Sequence, residues 1–366
     1  MDSLTQAALG AAMGEIVLGR SIGRRAMAWG AFFGTLPDLD VLIFPWADAV
    51  EQLQWHRGIS HSMLLCVLSG PLIGPLLAWH WKKFNVSRNR AILFVFLAWF
   101  THVLIDVFTA YGTQIWEPFS NARVTTSNLF IIDPLFTLPL LVGLFVSFFQ
   151  HRGKSGAAGA LRTMRAGLII TTLYTLWSFT ARSWIDHQVQ PAIATLPSPA
   201  KGHLIGPTPL NTLLWRIVVR TDDGFFIGYR SVLYARDTPV RWYRVDREMP
   251  HDSLRSKGAF AAVHWFTEGW WISRHTPEGF MMSDLRLGET LRDAENGEPS
   301  SMTPVFTWLL PNSPDLPRLQ MQRASRGDVG KLLRQILDRA LGNPDALPHP
   351  EAILLPGQPS EPLAAQ

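Results

Sequence analysis

His102 and Asp106 lie in the middle of an apolar stretch, residues 91–110, that is long enough to cross a bilayer. Because they are four residues apart, a helix places both side chains on one face. A lone carboxylate at this depth costs roughly 2.5–3.5 kcal/mol on insertion scales unless it faces a polar cavity or binds a partner. A His-x-x-x-Asp pair is also typical of a hydrogen bond between two packed helices, so the pair alone leaves both interpretations open.

Two further motifs carry the same residue types. LPDLD contains Asp38 and Asp40, and HRGISHS contains His56 and His61. Each has a simpler interpretation, because LPDLD can form a turn with solvated carboxylates and HRGISHS an interfacial loop. Together they supply imidazole nitrogens and carboxylate oxygens, which are ligands for Zn²⁺, Mn²⁺ or Fe, with Zn²⁺ the default choice. The one cysteine, Cys66, lies in an apolar run, so neither a disulfide framework nor a cysteine-based zinc site is predicted.

The elements that must position these residues are membrane helices. A spanning helix needs about 20 mostly apolar residues. Five stretches meet or approach that length: residues 26–45, 62–81, 91–111, 130–149 and 166–184. A sixth stretch, residues 4–18, is short and carries Gly10 and Gly14 at the spacing with which small residues let helices pack closely. The sequence therefore predicts a mainly α fold, with a polytopic membrane helical bundle of five to six spans in residues 1–185.

Basic residues concentrate in alternate loops of the predicted bundle. Three loops are rich in them: Arg20, Arg24 and Arg25; Lys82, Lys83, Arg88 and Arg90; Arg152, Lys154, Arg162 and Arg165. The positive-inside rule places these loops in the cytoplasm, which puts both termini outside and brings the His/Asp motifs to the outer level. Arg57 and Arg182 fall at that level too, and their planar guanidinium groups suit binding of a phosphate. The net charge of +4 then reflects the loops, and no nucleic-acid partner is predicted.

The apolar runs stop near Trp184, and the pattern changes. Residues 186–207 are expected to form a linker. Short segments rich in β-branched and aromatic residues then alternate with turns such as Asp222-Asp223-Gly224, which predicts a small antiparallel β domain over residues 208–310. Residues 311–366 are Pro-rich and polar, and are expected to be a partly disordered tail with one short helix over residues 329–341.

At the N-terminal motifs the chain resembles the YdjM-like integral membrane proteins, a family described as membrane-bound metal-dependent hydrolases. The matching stretches are the N-terminal helix with Gly10 and Gly14, GTLPDLD (34–40), HRGISHS (56–62), THVLIDVFTAYGT (101–113) and IDPLF (132–136). That family is in turn similar to the zinc-dependent phospholipase C and single-strand nuclease group, whose helical bundle holds zinc through His and Asp. The resemblance implies metal ligands at these positions: Asp40 or Asp38, His61 or His56, His102, and Asp106.

These observations predict a multi-pass protein of the bacterial inner membrane with its C-terminal β domain in the periplasm. The first functional hypothesis is a metal-dependent hydrolase that acts on a phosphoester or a membrane lipid at the outer face, with Asp38 or Asp40 as general base. The second is a transporter that uses the same polar residues as a pathway. The third is a non-enzymatic envelope protein with a structural metal. An intramembrane metalloprotease is disfavoured, because the sequence contains no H-E-x-x-H motif.

Overall fold

The computed structural model describes residues 1–152, 156–295, 298–312, 319–323, 329–353 and 361–362. The chain divides into two compact units. The first contains Met1–Trp46 and Trp55–Phe179, and the second contains Ala47–Gln54 and Thr180–Gln366.

Helices account for most of the chain as far as residue 194. The α-helices are α1 (Ser3–Ile22), α2 (Arg25–Thr35), α3 (Ala49–Trp55), α4 (Met63–His80), α5 (Arg88–Val107), α6 (Pro134–Gln150) and α7 (Gly156–Ala194). Short 3₁₀ helices cover Leu36–Trp46, Ile59–His61 and Lys82–Phe84. The chain passes from the first unit to the second within α7.

Side-chain caps fix where several of these helices begin. The Asp2 carboxylate accepts a hydrogen bond from the backbone N–H of Thr5 at the start of α1, and the Ser62 hydroxyl accepts one from Leu65 at the start of α4. Asp133 caps α6 in the same way and is followed by Pro134 at the first helical position, where a missing N–H costs nothing. The caps of α1 and α4 matter for the site, because Gln6 and His61 lie next to them.

Three segments are long and apolar enough to cross a membrane: Arg25–Trp46, which joins α2 to the following 3₁₀ helix, Met63–His80 and Arg88–Val107. They correspond to the predicted spans 26–45, 62–81 and 91–111. Helix α6 is apolar but shorter, with 17 residues. The N-terminal region is therefore mostly helical with three candidate membrane spans among the described residues.

Small residues allow α1 and α2 to lie in backbone contact, as Gly10 and Gly14 suggested. A Cβ added at Gly10 would lie 2.3 Å from the carbonyl oxygen of Gly30, and one added at Gly14 would lie 2.0 Å from that of Ala26. Gly34 completes the contact, since its own added Cβ would lie 2.7 Å from Gly10 Cα. Glycine is thus required at this crossing by the close approach of the two backbones.

The second unit is built around two β-sheets. The four-stranded sheet has the order β1-β2-β3-β4, with β1 (Gly202–Pro207), β2 (Leu214–Arg220), β3 (Gly224–Ser231) and β4 (Tyr243–Asp246), all antiparallel. Two short helices follow, α8 (Asp252–Arg255) and α9 (Gly258–Thr267). The second sheet is centred on β5 (Trp271–Thr276), β6 (Gly279–Arg292) and β7 (Ser301–Pro311), which are antiparallel.

The first sheet is buried on both faces. On one face, Trp215, Ile217 and Val219 of β2 pack against the C-terminal part of α7 through Ile185 and Val189. On the other face, residues of β2, β3 and β4 pack against the second sheet, in a core that includes Val218, Phe225, Val245, Ile272 and Met281. Alternate residues of β2 therefore belong to two different hydrophobic cores, because successive side chains of a strand point to opposite faces of the sheet.

The domain extends beyond the predicted range 208–310 at both ends. Helix α7 and strand β1 occupy most of the predicted linker. Towards the C-terminus, β8 (Gln320–Arg323) and β9 (Ala352–Ile353) pair with β7, and β10 (Glu361–Pro362) pairs with β9. Helix α10 (Val329–Ala340) begins where the predicted helix does, and its Ile336 is buried in the domain core. The other predicted disordered residues, 313–318, 324–328, 354–360 and 363–366, lie outside the described residues.

We expect Gly10→Ala to destabilise the bundle, although alanine favours a helix over glycine by about 0.8–1.0 kcal/mol. The added methyl group collides with the Gly30 carbonyl, and overpacking of this kind costs about 1–3 kcal/mol. The midpoint of thermal unfolding in detergent should fall. The control is Gly258→Ala at the start of α9, where an added Cβ meets open space and the midpoint should not fall. Equal midpoints for the two variants would contradict the close α1–α2 contact.

Candidate metal centre

Four side chains from three segments of the first unit converge on one point. Asp38, His61, His102 and Asp106 each present a ligand atom, and these atoms all lie within 4.8 Å of one another. The Nε2 atoms of His61 and His102 are 3.0 Å apart. Asp38 Oδ1 lies 3.4 Å from each of them, and Asp106 Oδ2 lies 3.3 Å from the first and 3.6 Å from the second.

The nitrogen–oxygen separations are close to the edges of a metal coordination shell, and the nitrogen–nitrogen separation of 3.0 Å is somewhat shorter. An ion bound tetrahedrally at about 2.0–2.1 Å has ligand atoms about 3.3 Å apart. The observed separations between nitrogen and oxygen atoms, 3.3–3.6 Å, lie at or slightly above that value. Two nitrogens and two oxygens form a donor set that suits Zn²⁺ and other first-row divalent ions.

Asp106 shows most directly that a cation fits here. Its side chain is fully buried, and Oδ1 accepts hydrogen bonds from Gln6 Nε2 at 2.9 Å and from the amino group of Met1, with Arg57 Nη2 at 3.2 Å. Oδ2 is also buried but accepts no hydrogen bond of good geometry from any described residue. A buried carboxylate oxygen without a hydrogen bond is rare and costly. Since Oδ2 points at two imidazole nitrogens, a bound cation would satisfy all three atoms at once.

The sequence comparisons place this site within a known family. Residues 1–185, just over half of the chain, match the family model described as YdjM inner membrane protein. The chain belongs to this family. The four residues of the cluster all lie in the matched part.

Two relatives extend the comparison. The uncharacterized protein YfhP of Bacillus subtilis (strain 168) is 27% identical over 235 residues, which cover 62% of this chain and 68% of the relative. The inner membrane protein YbcI of Escherichia coli (strain K12) is 29% identical over 123 residues, which cover 33% of this chain and 69% of the relative. No solved structure matches the chain. This YdjM-family chain is thus an inner-membrane protein by family, with candidate transmembrane helices.

Local structure explains how each ligand reaches the cluster. Asp38 lies in the first turn of the 3₁₀ helix Leu36–Trp46, which continues directly from α2. His61 ends the short 3₁₀ helix that precedes α4, and the Ser62 cap holds that junction. His102 and Asp106 lie on one face of α5, as their spacing predicted, with Asp106 in the last turn.

The histidines are oriented by partners behind the cluster. His102 Nδ1 donates to the carbonyl of Gly34 at 2.6 Å, so its proton is on Nδ1 and the Nε2 lone pair faces the cluster. His61 Nδ1 lies 2.8 Å from the Ser60 hydroxyl and 3.8 Å from Asp40 Oδ2. Metal-binding histidines in proteins are usually held in this way, by a carbonyl, hydroxyl or carboxylate on the second nitrogen.

Asp40 and His56, which were predicted as ligands, lie beside the cluster and not in it. Asp40 accepts a hydrogen bond from the backbone N–H of Arg57 at 2.9 Å, and it lies 3.2 Å from His56 Nδ1 and 3.3 Å from the Ser60 hydroxyl. These contacts hold the loop that carries His61. In the structure Asp40 therefore organises the loop, and Asp38 is the carboxylate of this motif that reaches the cluster.

The two predicted phosphate-binding arginines are engaged elsewhere. Arg57 is buried, with its guanidinium near Asp106 Oδ1, 3.2 Å from the Thr109 hydroxyl and over the Tyr111 ring. Its backbone adopts φ +56°, a strained value for a residue other than glycine, which indicates that the surrounding contacts hold it firmly. Arg182 belongs to the second unit, where its Nε donates to the Ile205 carbonyl at 3.4 Å.

Sequence reasoning missed the Gly34 carbonyl and the role of Gln6. Gly34 stands in the GTLPDLD motif, but a backbone acceptor leaves no side-chain signature. Gln6 lies in the short apolar stretch 4–18, and the structure shows it as a donor to Asp106. A buried amide in the first turns of an apolar helix was the signal that would have found it.

We expect His102→Gln to abolish stable metal binding, because it removes the Nε2 ligand from the centre of the cluster. Loss of an outer partner of a metal ligand already weakens binding about 10–100-fold, and loss of a ligand should weaken it by at least that much. Metal content would be measured by mass spectrometry on detergent-purified protein. His80→Gln is the control, since His80 is exposed at the end of α4 and should leave metal content unchanged. Equal metal content in both variants would contradict the site.

Proposed function

We propose that this YdjM-family protein is a membrane-embedded metal-dependent hydrolase, acting on a phosphoester or lipid-type substrate at the outer face of the inner membrane. The observation that carries the proposal is the cluster of Asp38, His61, His102 and Asp106, with the unsatisfied Asp106 Oδ2 at its centre. Zn²⁺ is the ion that this nitrogen and oxygen donor set favours. When bound, such an ion supplies Lewis-acid polarisation of a substrate oxygen and activation of water at neutral pH.

Exposure distinguishes the four ligand residues. The side chains of His61, His102 and Asp106 are fully buried, whereas that of Asp38 retains 23% of its exposure. Substrate and water therefore reach the cluster from the side on which Asp38 lies. The difference in exposure supports a site in which His61, His102 and Asp106 are fixed ligands and Asp38 lies at the accessible edge.

Asp38 is the better candidate for the general base. The sequence left Asp38 and Asp40 as alternatives, but Asp40 is held by the Arg57 backbone, His56 and Ser60. Asp38 contacts the Nε2 atoms of His61 and His102, and both contacts are made by its Oδ1. Its Oδ2 is therefore the atom that would accept a proton from a water at the cluster, a step that contributes about 10²–10⁴-fold in rate in other enzymes.

A structural metal in a non-enzymatic protein is the second candidate. Four protein side chains reach the cluster, and four protein ligands are typical of closed, structural zinc sites. The two functions differ in what Asp38 does. In a structural site it is a permanent ligand, whereas in the hydrolase it exchanges a proton with substrate or water.

We expect purified protein to hydrolyse a soluble phosphodiester such as bis(p-nitrophenyl) phosphate, and to lose this activity with a chelator. His102→Gln should lower the rate at least about 100-fold, because it removes a ligand, and His80→Gln should not. Parallel assays with a short-chain phospholipid and a carboxylic ester identify the bond that is cleaved. Activity that survives both the chelator and His102→Gln would exclude a metal-dependent mechanism.

Asp38→Asn separates the two candidate functions. Asparagine keeps an oxygen that can bind a metal but cannot accept a proton. For the hydrolase we expect metal content to be retained while kcat falls about 100-fold or more. For a structural site, wild-type protein would hold its metal and hydrolyse none of the three substrates, which would decide against catalysis.

The proposal includes a topology with five to six spans and a periplasmic C-terminal domain. The alternating basic loops support it, together with three candidate spans by length and composition. In this topology the cluster faces the periplasm, because α4 begins and α5 ends at that side.

Single cysteines test this topology, because Cys66 is buried and can be replaced by alanine. In that background we expect Asp222→Cys, in an exposed turn of the β domain, to react in whole cells with a membrane-impermeant maleimide. Lys83→Cys, in a basic loop, should react only after the cells are lysed. The reverse pattern of labelling would invert the proposed orientation.

A further inference from the structure

Two arginines project from one face of the first sheet of the β domain. Arg220 ends β2 and pairs in register with Phe225 of β3, which in turn pairs with Val245 of β4. Residues paired across neighbouring strands point to the same face. Arg247 follows β4, and its guanidinium lies 5.7 Å from the Phe225 ring, so it comes to the same face as Arg220.

Aromatic rings hold both guanidinium groups in place. Arg220 lies over the Trp270 ring at 4.8 Å, and Arg247 lies over the Trp271 ring at 4.8 Å. Phe225 and Trp270 contact each other with ring centroids 6.1 Å apart. A guanidinium stacked on an aromatic face loses side-chain freedom while its N–H groups stay available at the edge.

His264 of α9 adds a further donor to the two arginines. Trp271 Nε1 donates to His264 Nδ1 at 3.0 Å, so the proton of the neutral imidazole is on Nε2. A Cβ added at Gly269 would lie 3.4 Å from Arg220 Nη1 and 3.7 Å from His264 Cε1. The arginine and the histidine therefore converge above the glycine, where no side chain separates them.

No carboxylate neutralises this group among the residues that the structure describes. Neither guanidinium has an ion pair there: Asp222 pairs with Lys201, and Asp246 pairs with Arg244 on the opposite face of β4. Burial lowers the pKa of the Arg247 guanidinium, and the positive charge of Arg220 lowers it further. Partial burial lowers the pKa of the His264 imidazole, and the positive charges of Arg247 and then Arg220 lower it further.

Elsewhere the same domain pairs two of its well-buried arginine side chains with acids. Arg216, four residues before Arg220 on the same face of β2, binds Glu289 with Nε–Oε1 at 3.0 Å. Arg286 binds Asp284 with Nη2–Oδ2 at 2.8 Å. These two arginines are thus neutralised by acids, and Arg230 of β3 is held by three backbone carbonyls. Among the described residues, the guanidinium groups of Arg220 and Arg247 have neither kind of partner, only the aromatic rings.

We propose that Arg220, Arg247 and His264 form an anion site on the β domain that binds a phosphate group. Planar guanidinium groups match phosphate oxygens in pairs, and the imidazole N–H provides a further donor. A phosphate carries enough charge to offset both arginines. The site consists of second-unit residues alone, so it does not depend on the hydrolase proposed for the first unit.

Calorimetric titration of the full-length protein in a phosphate-free detergent tests the site. A chelator is present throughout, so that binding at the candidate metal centre does not contribute. The probes are inorganic phosphate and a water-soluble short-chain phosphatidic acid. Binding of both, or of phosphate alone, identifies a site for free phosphate groups, whereas binding of the lipid alone identifies a lipid headgroup as the ligand.

We expect Arg247→Gln to weaken binding of the better probe at least about tenfold, because hydrogen bonds to a charged group contribute strongly. Arg244→Gln, in β4 and on the opposite face three residues before Arg247, removes the same charge, and this variant should bind like wild type. His264→Ala, at an exposed helix position, should weaken binding several-fold and provides a second variant if Arg247→Gln does not fold. Failure of wild-type protein to bind either probe, or equal affinity of the Arg247→Gln and Arg244→Gln variants, would overturn the proposal.

Discussion

The carboxylate of Asp106 is the constraint on which the first unit depends. A charge buried in an apolar helix costs several kcal/mol unless other groups compensate it, and here the compensation comes from separate elements. Gln6 comes from α1 and Arg57 from the loop before α4, while Asp106 itself is on α5. Removing one partner of such a group typically costs 3–5 kcal/mol, so the same contacts hold the helices together and orient Oδ2.

The glycine crossing of α1 and α2 serves the same site. Backbone contact between Gly10 and Gly34 fixes the position of α2 against α1. In that position the Gly34 carbonyl accepts a hydrogen bond from His102 Nδ1. A larger residue at the crossing would shift this carbonyl together with the 3₁₀ helix that carries Asp38. Helix packing and ligand geometry are therefore determined by the same few residues.

Much of the site could be predicted from the sequence, because polar residues inside a membrane helix are energetically unfavourable and therefore stand out. Polar residues at one depth in several apolar segments, with alternating loop charge, predicted that the motifs with Asp38 and Asp40, with His56 and His61, and with His102 and Asp106 would lie at one level. The distinction between Asp38 and Asp40 could not be predicted. The motif forms a 3₁₀ helix, in which residues two apart point about 240° apart around the axis. One carboxylate therefore reaches the cluster while the other turns to the loop of His56.

Less of the β domain than of the helical unit could be predicted from the sequence. Strands such as β2 and β3 were predicted from β-branched and aromatic runs. Strands β8 and β9 were not, because four-residue and two-residue segments carry no period that can be recognised. The buried pair of Arg216 and Glu289 was also invisible, since 73 residues separate its members along the chain. Only the register of the sheets brings them together.

In both units, a charged group at the proposed binding site is not fully compensated by the described residues. In the first, the described partners of Asp106 satisfy Oδ1 and leave Oδ2 facing two imidazole nitrogens, an arrangement that favours a cation. In the second, aromatic rings position Arg220 and Arg247 without a carboxylate, an arrangement that favours an anion. Each differs from the pair of Arg216 and Glu289, in which a carboxylate neutralises the guanidinium. A buried charge that is incompletely compensated lowers stability, which applies most strongly to the fully buried Asp106, and in both units a ligand of the opposite sign would compensate the charge.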